Sequence, residues 1–206
     1  DSFTTTALTG TVTDIDGNVY ATVKIGDQWW MAENLKVTHY RDGDSIPVVT
    51  DDNVWYTLTY GACCAYDNSS DNLDVYGRLY NWRAVSDPRG IAPEGWHVAT
   101  DNEWSTLVVQ LGGASVAGGE MKEMGTDHWL APNEDANDSA GFTALPGGGR
   151  GYMGYFIGLQ NNAWFWSATE YSTSRAYLRE LSAYDAVIYR LNHAKDYGYS
   201  VRCVKD

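Results

Sequence analysis

Seven residues near the start of the chain settle much of what it can become. Val19, Ala21, Val23 and Ile25 alternate with Tyr20, Thr22 and Lys24, the period of two of a strand whose faces differ. Asp16-Gly17 precedes this run and Gly26-Asp27 follows it. Two-residue hairpin turns need positive φ, which Gly adopts freely and Asp tolerates, so both dipeptides read as tight reversals. Residues 10–31 are therefore expected to form three short antiparallel strands.

A second signature demands helix. Thr100-Asp101-Asn102-Glu103 has the form of a capping box, in which the Thr hydroxyl takes the Glu103 amide and the Glu carboxylate returns to the Thr amide. Trp104, Leu107, Val108 and Leu111 then recur at i, i+3, i+4 and i+7, and Gly112-Gly113 offers a left-handed exit. Residues 77–85 read as a shorter helix stopped by Asp87-Pro88. Residues 41–70 lack periodicity and read as a long loop packed by Trp55, Tyr56, Tyr60 and Tyr66. After Trp164-Phe165-Trp166, residues 177–181, 187–191 and 199–204 form an expected antiparallel meander whose last strand ends inside the sheet. The fold class is α+β, with antiparallel sheets, two helices and long irregular loops. No repeat or compositional break divides the chain, so we expect one domain over 11–206 after an N-terminal tail at 1–10.

Charge narrows the partners. Fourteen basic residues against twenty-seven acidic give −13, a surface that repels phosphate backbones and anionic headgroups, so nucleic acid is excluded. No apolar run approaches the roughly 18 residues of a membrane span, so no direct membrane insertion is expected. The chain opens without Met or a signal-type segment and reads as a mature or trimmed product. Nine Trp and fifteen Tyr against four Phe favour rings with a polar tip, which suit both a loop-rich interior and a binding surface. An extracellular or cell-surface domain rich in strands and turns fits these numbers.

Catalytic signatures are weak. Gly118-Gly119 and Gly147-Gly148-Gly149 lack the lysine and the strand-to-helix context of a phosphate loop and read as turns. Cys63 and Cys64 are adjacent and His39, His97, His128 and His193 scattered, which does not make a zinc set. No Gly-x-Ser-x-Gly is present, Glu120 and Glu123 read as a solvated helix face, and His97 as a buried, hydrogen-bonded structural residue. The chain is therefore not expected to be an enzyme. The one cofactor left open is a structural calcium ion, with Asp67, Asp71 and Asp74 as candidate ligands, although their spacing departs from the usual calcium loop. Cys203 can pair with Cys64 or with Cys63, or Cys63 and Cys64 can bridge each other; Cys64–Cys203 is the preferred candidate.

The order of several motifs carries a resemblance. Val12-Thr13-Asp14-Ile15-Asp16-Gly17-Asn18-Val19-Tyr20, Trp30-Met31 and Glu33-Asn34-Leu35 open the series. Tyr76-Gly77-Arg78-Leu79-Tyr80-Asn81-Trp82 and Gly95-Trp96-His97-Val98-Ala99-Thr100 continue it. Gly141-Phe142-Thr143-Ala144-Leu145-Pro146-Gly147-Gly148, Trp166-Ser167-Ala168-Thr169-Glu170 and Tyr199-Ser200-Val201-Arg202-Cys203-Val204 close it. Together they resemble the Fibrobacter succinogenes major paralogous domain, found on secreted or surface proteins of bacteria. The resemblance implies a C-type-lectin-like fold of the formylglycine-generating kind, with both termini in one sheet. The cysteines that oxidase chemistry of that kind would need are absent near the C-terminal sheet, where only Cys203 stands.

Residues 171–197 also resemble the variable region of proteins diversified by retroelements, where a fixed framework (here Ala176, Arg179, Leu181, Arg190, Lys195 and Gly198) holds chemically mixed positions. The candidate ligand-binding residues are Tyr171, Arg175, Leu178, Glu180, Tyr184, Asp185, Tyr189, Leu191, Asn192, His193, Asp196 and Tyr197. Tyr and Arg offer contact area and hydrogen bonding at modest ordering cost. The expected function is a surface-displayed ligand-binding or adhesion module that presents this face to a protein or glycan. The alternatives are a homo-oligomeric subunit of a surface filament, pilus or phage fibre, and a carbohydrate-binding module of a polysaccharide-degrading system.

Overall fold

The computed structural model describes residues 8–206. The tail expected at 1–10 lies mostly outside the described residues, and its last two positions already belong to strand β1 (Thr9–Thr13). β2 (Val19–Ile25) and β3 (Gln28–Met31) follow as expected, with Gly17 at φ 84° and Gly26 at φ 59° in the reversals between them. Residues 41–70 are less irregular than expected: they hold the short helix α1 (Asp52–Tyr56), β4 (Cys63–Cys64) and a 3-10 turn. Next come α2 (Ser70–Tyr76), β5 (Leu79–Asn81) and α3 (Trp82–Val85). The single helix expected over 77–85 is thus a strand followed by one helical turn. Asn81 makes the switch, since its side-chain oxygen caps the Ala84 amide at 3.1 Å.

β6 (Trp96–Val98) leads into α4 (Asp101–Gln110), where the capping box is present in full. Glu103 N donates to Thr100 Oγ1 at 3.3 Å, and Thr100 N donates to Glu103 Oε2 at 2.8 Å. The short α5 (Ala117–Met121) makes five helical segments among the described residues where the sequence reading has two. The remaining strands are β7 (Gly147–Arg150), β8 (Phe156–Leu159), β9 (Asn162–Ser172), β10 (Arg175–Ser182), β11 (Ile188–Ala194), β12 (Gly198–Tyr199) and β13 (Cys203–Lys205).

Two sheets result, and nearly all pairings are antiparallel. One runs β1-β2-β3-β13-β6, so the final strand lies between elements laid down early in the chain. The other runs β11-β10-β9-β7-β12-β5-β4, with β8 on β7, and β7 touching β9 in parallel. The class is α+β, without a closed barrel.

β2 shows how the alternation is used. Val19 is exposed and Tyr20 buried, while Val23 and Ile25 are also buried. Tyr20 enters one core with Tyr80, Trp166, Leu178 and Tyr199; Val23 and Ile25 enter a second with Trp30, Trp104, Phe142 and Phe165. In that second core the Trp30 and Trp104 rings lie 4.7 Å apart, and Phe142 and Phe165 meet edge to face at 5.9 Å. The strand thus starts with one face in solvent, at Val19 and Ala21, and ends with both faces covered, at Thr22, Val23 and Ile25.

Arginine does unusual work in the interior. Arg202 is 1% exposed and donates to Asn34 Oδ1 and to the carbonyls of Met31, Phe142 and Thr143. It thereby ties the C-terminal strands to the N-terminal sheet and to the 142–143 loop. Burial pulls its guanidinium down to about 9. Its four bonds satisfy the fork that makes a buried arginine tolerable.

The cysteine expectation is corrected here. Cys63, Cys64 and Cys203 are all free and buried. Cys203 sits in β13 of the first sheet, whereas Cys64 pairs with Leu79 in β4 of the other and enters a third small core with Trp55, Tyr66 and Leu79. Cys63 faces the opposite way, into the core that holds Cys203 but without a bridge. Burial raises all three thiols, Cys63 to about 12 and Cys64 to about 11.

A candidate ligand face on the outer strands

The twelve candidate residues do not share one surface. Cross-strand partners lie on the same face of a sheet. The register Glu180↔Tyr189, Leu178↔Leu191 and Ala176↔His193 therefore puts these side chains together, over Trp164 and Trp166 of β9. Tyr177↔Asn192 and Arg179↔Arg190 point the other way. On that second face Asp101 of α4 receives Arg179 and Arg190, Arg190 lies 4.0 Å from the Tyr177 ring centre, and Tyr171 meets Tyr177 edge to face. Arg175 donates to the Asn192 carbonyl at 2.8 Å.

Leu178 is a correction. It is fully buried, packed among Trp166, Tyr199 and the first core. A two-residue irregularity between β9 and β10 reseats the register there, so that Leu178 stands opposite Trp166. Leu191, its partner on the edge strand, is only partly covered.

Tyr184 lies in the turn between β10 and β11 and is 60% exposed. Asp185 shapes that turn: it accepts the Val187 amide and the Tyr189 hydroxyl, both at 2.9 Å. Below the turn the buried Lys122 ammonium donates to the carbonyls of Glu134, Ser182 and Asp185. Asp196 holds Arg83 at 2.5 Å, and its carbonyl accepts the Trp55 indole at 3.0 Å. Glu180 accepts Asn162 Nδ2 at 2.9 Å.

His193 and Tyr197 open onto an aromatic ribbon. His193 Nδ1 is 2.6 Å from the Tyr199 hydroxyl, and burial, with Arg175 nearby, lowers its pKa below the usual histidine value. Tyr197 stacks on Tyr199 with ring centres 5.7 Å apart and lies 5.3 Å from His193. On its other side Tyr197 meets Tyr152 at 5.7 Å, and Tyr152 meets Tyr56 at 6.4 Å. Tyr155 covers Gly151 beside them.

Of the rings expected to pack the 41–70 loop, Trp55 and Tyr66 are buried, but Tyr56, the last residue of α1, and Tyr60 are exposed; Tyr152 and Tyr155 sit in a Gly-rich turn without periodicity that the sequence does not single out. What joins the two segments is Arg150. Its buried guanidinium donates to the carbonyls of Gly154, Val49 and Thr50 and to Asp52, between the rings of Trp55 and Phe156. Gly154 lets the two segments close: at φ 97°, a Cβ there would lie 2.5 Å from Asp52 Cβ.

The calcium candidates do not converge. Asp67 is exposed on the 3-10 turn at φ 52°, and Asp71 and Asp74 are exposed on α2. Among the described residues no three His, Cys, Asp or Glu side chains are placed to hold a metal ion. His97 is less buried than expected, 37% exposed, and lies 2.6 Å from both Glu103 and Asp206.

No curated protein and no solved structure matches the chain. A family model does: the Fibrobacter succinogenes major domain (Fib_succ_major) matches residues 23–205, from within β2 to the end of β13, and the chain belongs to that family.

Proposed function

We propose that this chain is a non-catalytic binding or adhesion module of an extracellular or cell-surface protein. Its receiving surface is the face of β10 and β11 that bears Glu180, Tyr189 and His193, extended by Tyr197, Tyr152, Tyr155 and Tyr56. The observation that supports this is the continuous ribbon of rings from Tyr56 to His193, exposed at Tyr56, half-buried at His193, and seated on the buried Arg150, Tyr199 and Trp166. Rigid aromatic side chains on a packed platform lose little freedom on binding and present both area and hydroxyls. A protein surface or a glycan is the partner class that uses such a ribbon, and mixed chemistry over 171–197 is what retroelement diversification of a binding face would leave.

The test uses exposed rings, so that the fold survives. Tyr56→Ala, Tyr155→Ala and Tyr189→Ala combined should reduce capture of the ligand found by screening polysaccharides and extracellular proteins at least tenfold, with Tm within about 2 °C of the parent. Unchanged capture in the triple variant would sink the assignment.

A filament or fibre subunit is the second reading, favoured by the position of β11 at the edge of its sheet. Edge strands template pairing with another copy. Concentration-dependent polymers in electron micrographs would support it, and a monodisperse monomer at high concentration would remove it.

A further inference from the structure

The turn between β10 and β11 is gripped from beneath, and the grip is on its main chain. Ala183 N donates to the Asn161 carbonyl, and the carbonyls of Ala183 and Ala186 accept the amides of Glu134 and Gly119. Ile188 N donates to the Ala114 carbonyl. Gly118 and Gly119 permit this approach: a Cβ on Gly118 would lie 2.7 Å from the carbonyl oxygens of Ala186 and Val187, and one on Gly119 2.6 Å from that of Asp135.

Lys122 stands at the centre of these contacts. It is 0% exposed, and its own backbone is bridged to Ala144. Its ammonium lies 5.5 Å from the centre of the Trp129 ring and donates to the carbonyls of Glu134, Ser182 and Asp185 at 2.9, 2.9 and 2.8 Å. All three donors are thereby spent on main-chain oxygens, which makes the burial of the charge tolerable. A carbonyl is the same acceptor whatever side chain stands beside it, so the contact follows the path of the turn and is indifferent to its sequence. Tyr184 remains 60% exposed, with Asp185 and Val187 half-buried.

We propose that Lys122 is a positioning residue for the receiving surface on β10 and β11, a role that rests on that surface being the ligand face. Its ammonium is a tethered cation whose cage of three carbonyls sets the turn that presents Tyr184 and, through the Asp185 carboxylate, the Tyr189 hydroxyl. The side chains at 184, 185 and 187 are then free to differ, and the partner with them, while the turn keeps its course.

Lys122→Met keeps the stem and removes the donors. Amide exchange in this variant should quicken at Ala183 and Ile188 at least tenfold more than at Leu107 in α4 and Val23 in β2. Equal quickening at all four sites makes Lys122 a residue of general stability and overturns the proposal. Tyr184→Ser, Asp185→Ala and Val187→Thr combined should leave Ala183 and Ile188 within about threefold of the parent. A loss of protection as large as that of Lys122→Met would mean that the turn is set by its own side chains, and equally overturns it. Should Lys122→Met not fold, acylation of the parent with an amine reagent decides. Relative to the denatured chain, Lys122 should be protected to within about threefold of the Ala183 amide, because one opening exposes both. Acylation at least tenfold slower than that, at the rate of global unfolding, overturns the proposal. These readouts involve no ligand, so failure of the tyrosine variants to change capture would relocate the ligand face without touching the clamp.

Discussion

Asp101 Oδ1 accepts a 2.8 Å hydrogen bond from Nη1 of Arg179, a residue 2% exposed in the middle of β10. The pair binds the first residue of α4 to the sheet that carries the proposed ligand face, and Arg190 adds a second clamp from β11. Removing the carboxylate leaves a buried guanidinium without its counter-charge. Asp101→Asn should lower stability by about 3 kcal/mol in urea unfolding. Burial alone would raise the Asp101 carboxyl, but the bonds from Arg190 and Arg179 outweigh it and hold it below the usual carboxylate value. Its contribution is therefore complete above about pH 4 and fades as pH falls through the depressed value. The variant should lose part of the acid-side decline that the parent shows.

His97 works in the opposite sense. Burial pulls its pKa down, but hydrogen bonds to Asp206 and Glu103 outweigh that, and the net shift is upward. A raised histidine stabilises the fold fully below about pH 6.5 and loses that contribution as pH rises through the higher, folded value. The stability gap between parent and His97→Gln should be wider at pH 6 than at pH 8.5. A gap that is equal at both, measured by thermal unfolding in matched salt, would show that the bridge carries no charge.

Leu178 and Tyr184 separate packing from display on one hairpin. Leu178→Ala removes a fully buried side chain and should cost about 3 kcal/mol. Tyr184→Ala, at a turn 60% exposed, should stay within about 0.5 kcal/mol. The two can be compared directly in one denaturant series.

The thiols should be silent. Cys63, Cys64 and Cys203 are buried and shifted upward, so a thiol reagent should label none in the native protein and all three in denaturant. Reductant should leave Tm unchanged. A drop in Tm with reductant would reveal a bridge.

The residues that announced themselves were those whose signals are local. Asp16-Gly17 and Gly26-Asp27 place their own turns, and Thr100 with Glu103 closes its own cap, so hairpins and α4 fall where the pattern puts them. The 77–85 segment misled because Asn81 caps a turn so short that the strand before it goes unsignalled. Within 171–197, period-two alternation was available to divide Tyr189, Leu191 and His193 from Arg190 and Asn192 and to place Leu178 with Ala176 on the buried face, but the irregularity near Ala176 that resets the pairing with β9 has no local mark. Tyr56 and Tyr152 are brought together by Arg150 across about a hundred residues, a relationship no window of sequence contains.

The strand β13 is the keystone of an order of assembly. Val204 pairs with both Trp30 and His97, and Arg202 reaches back to Met31 and Asn34. Until residues 203–205 are in place, β3 and β6 have no neighbour between them, and loop closure of such span is slow. A chain cut before Cys203 would keep the β1-β2-β3 hairpins and α4 yet lose the strand that joins β3 to β6. Closure of the first sheet is thus deferred to the strand farthest along the chain, and the two halves of that sheet are joined last.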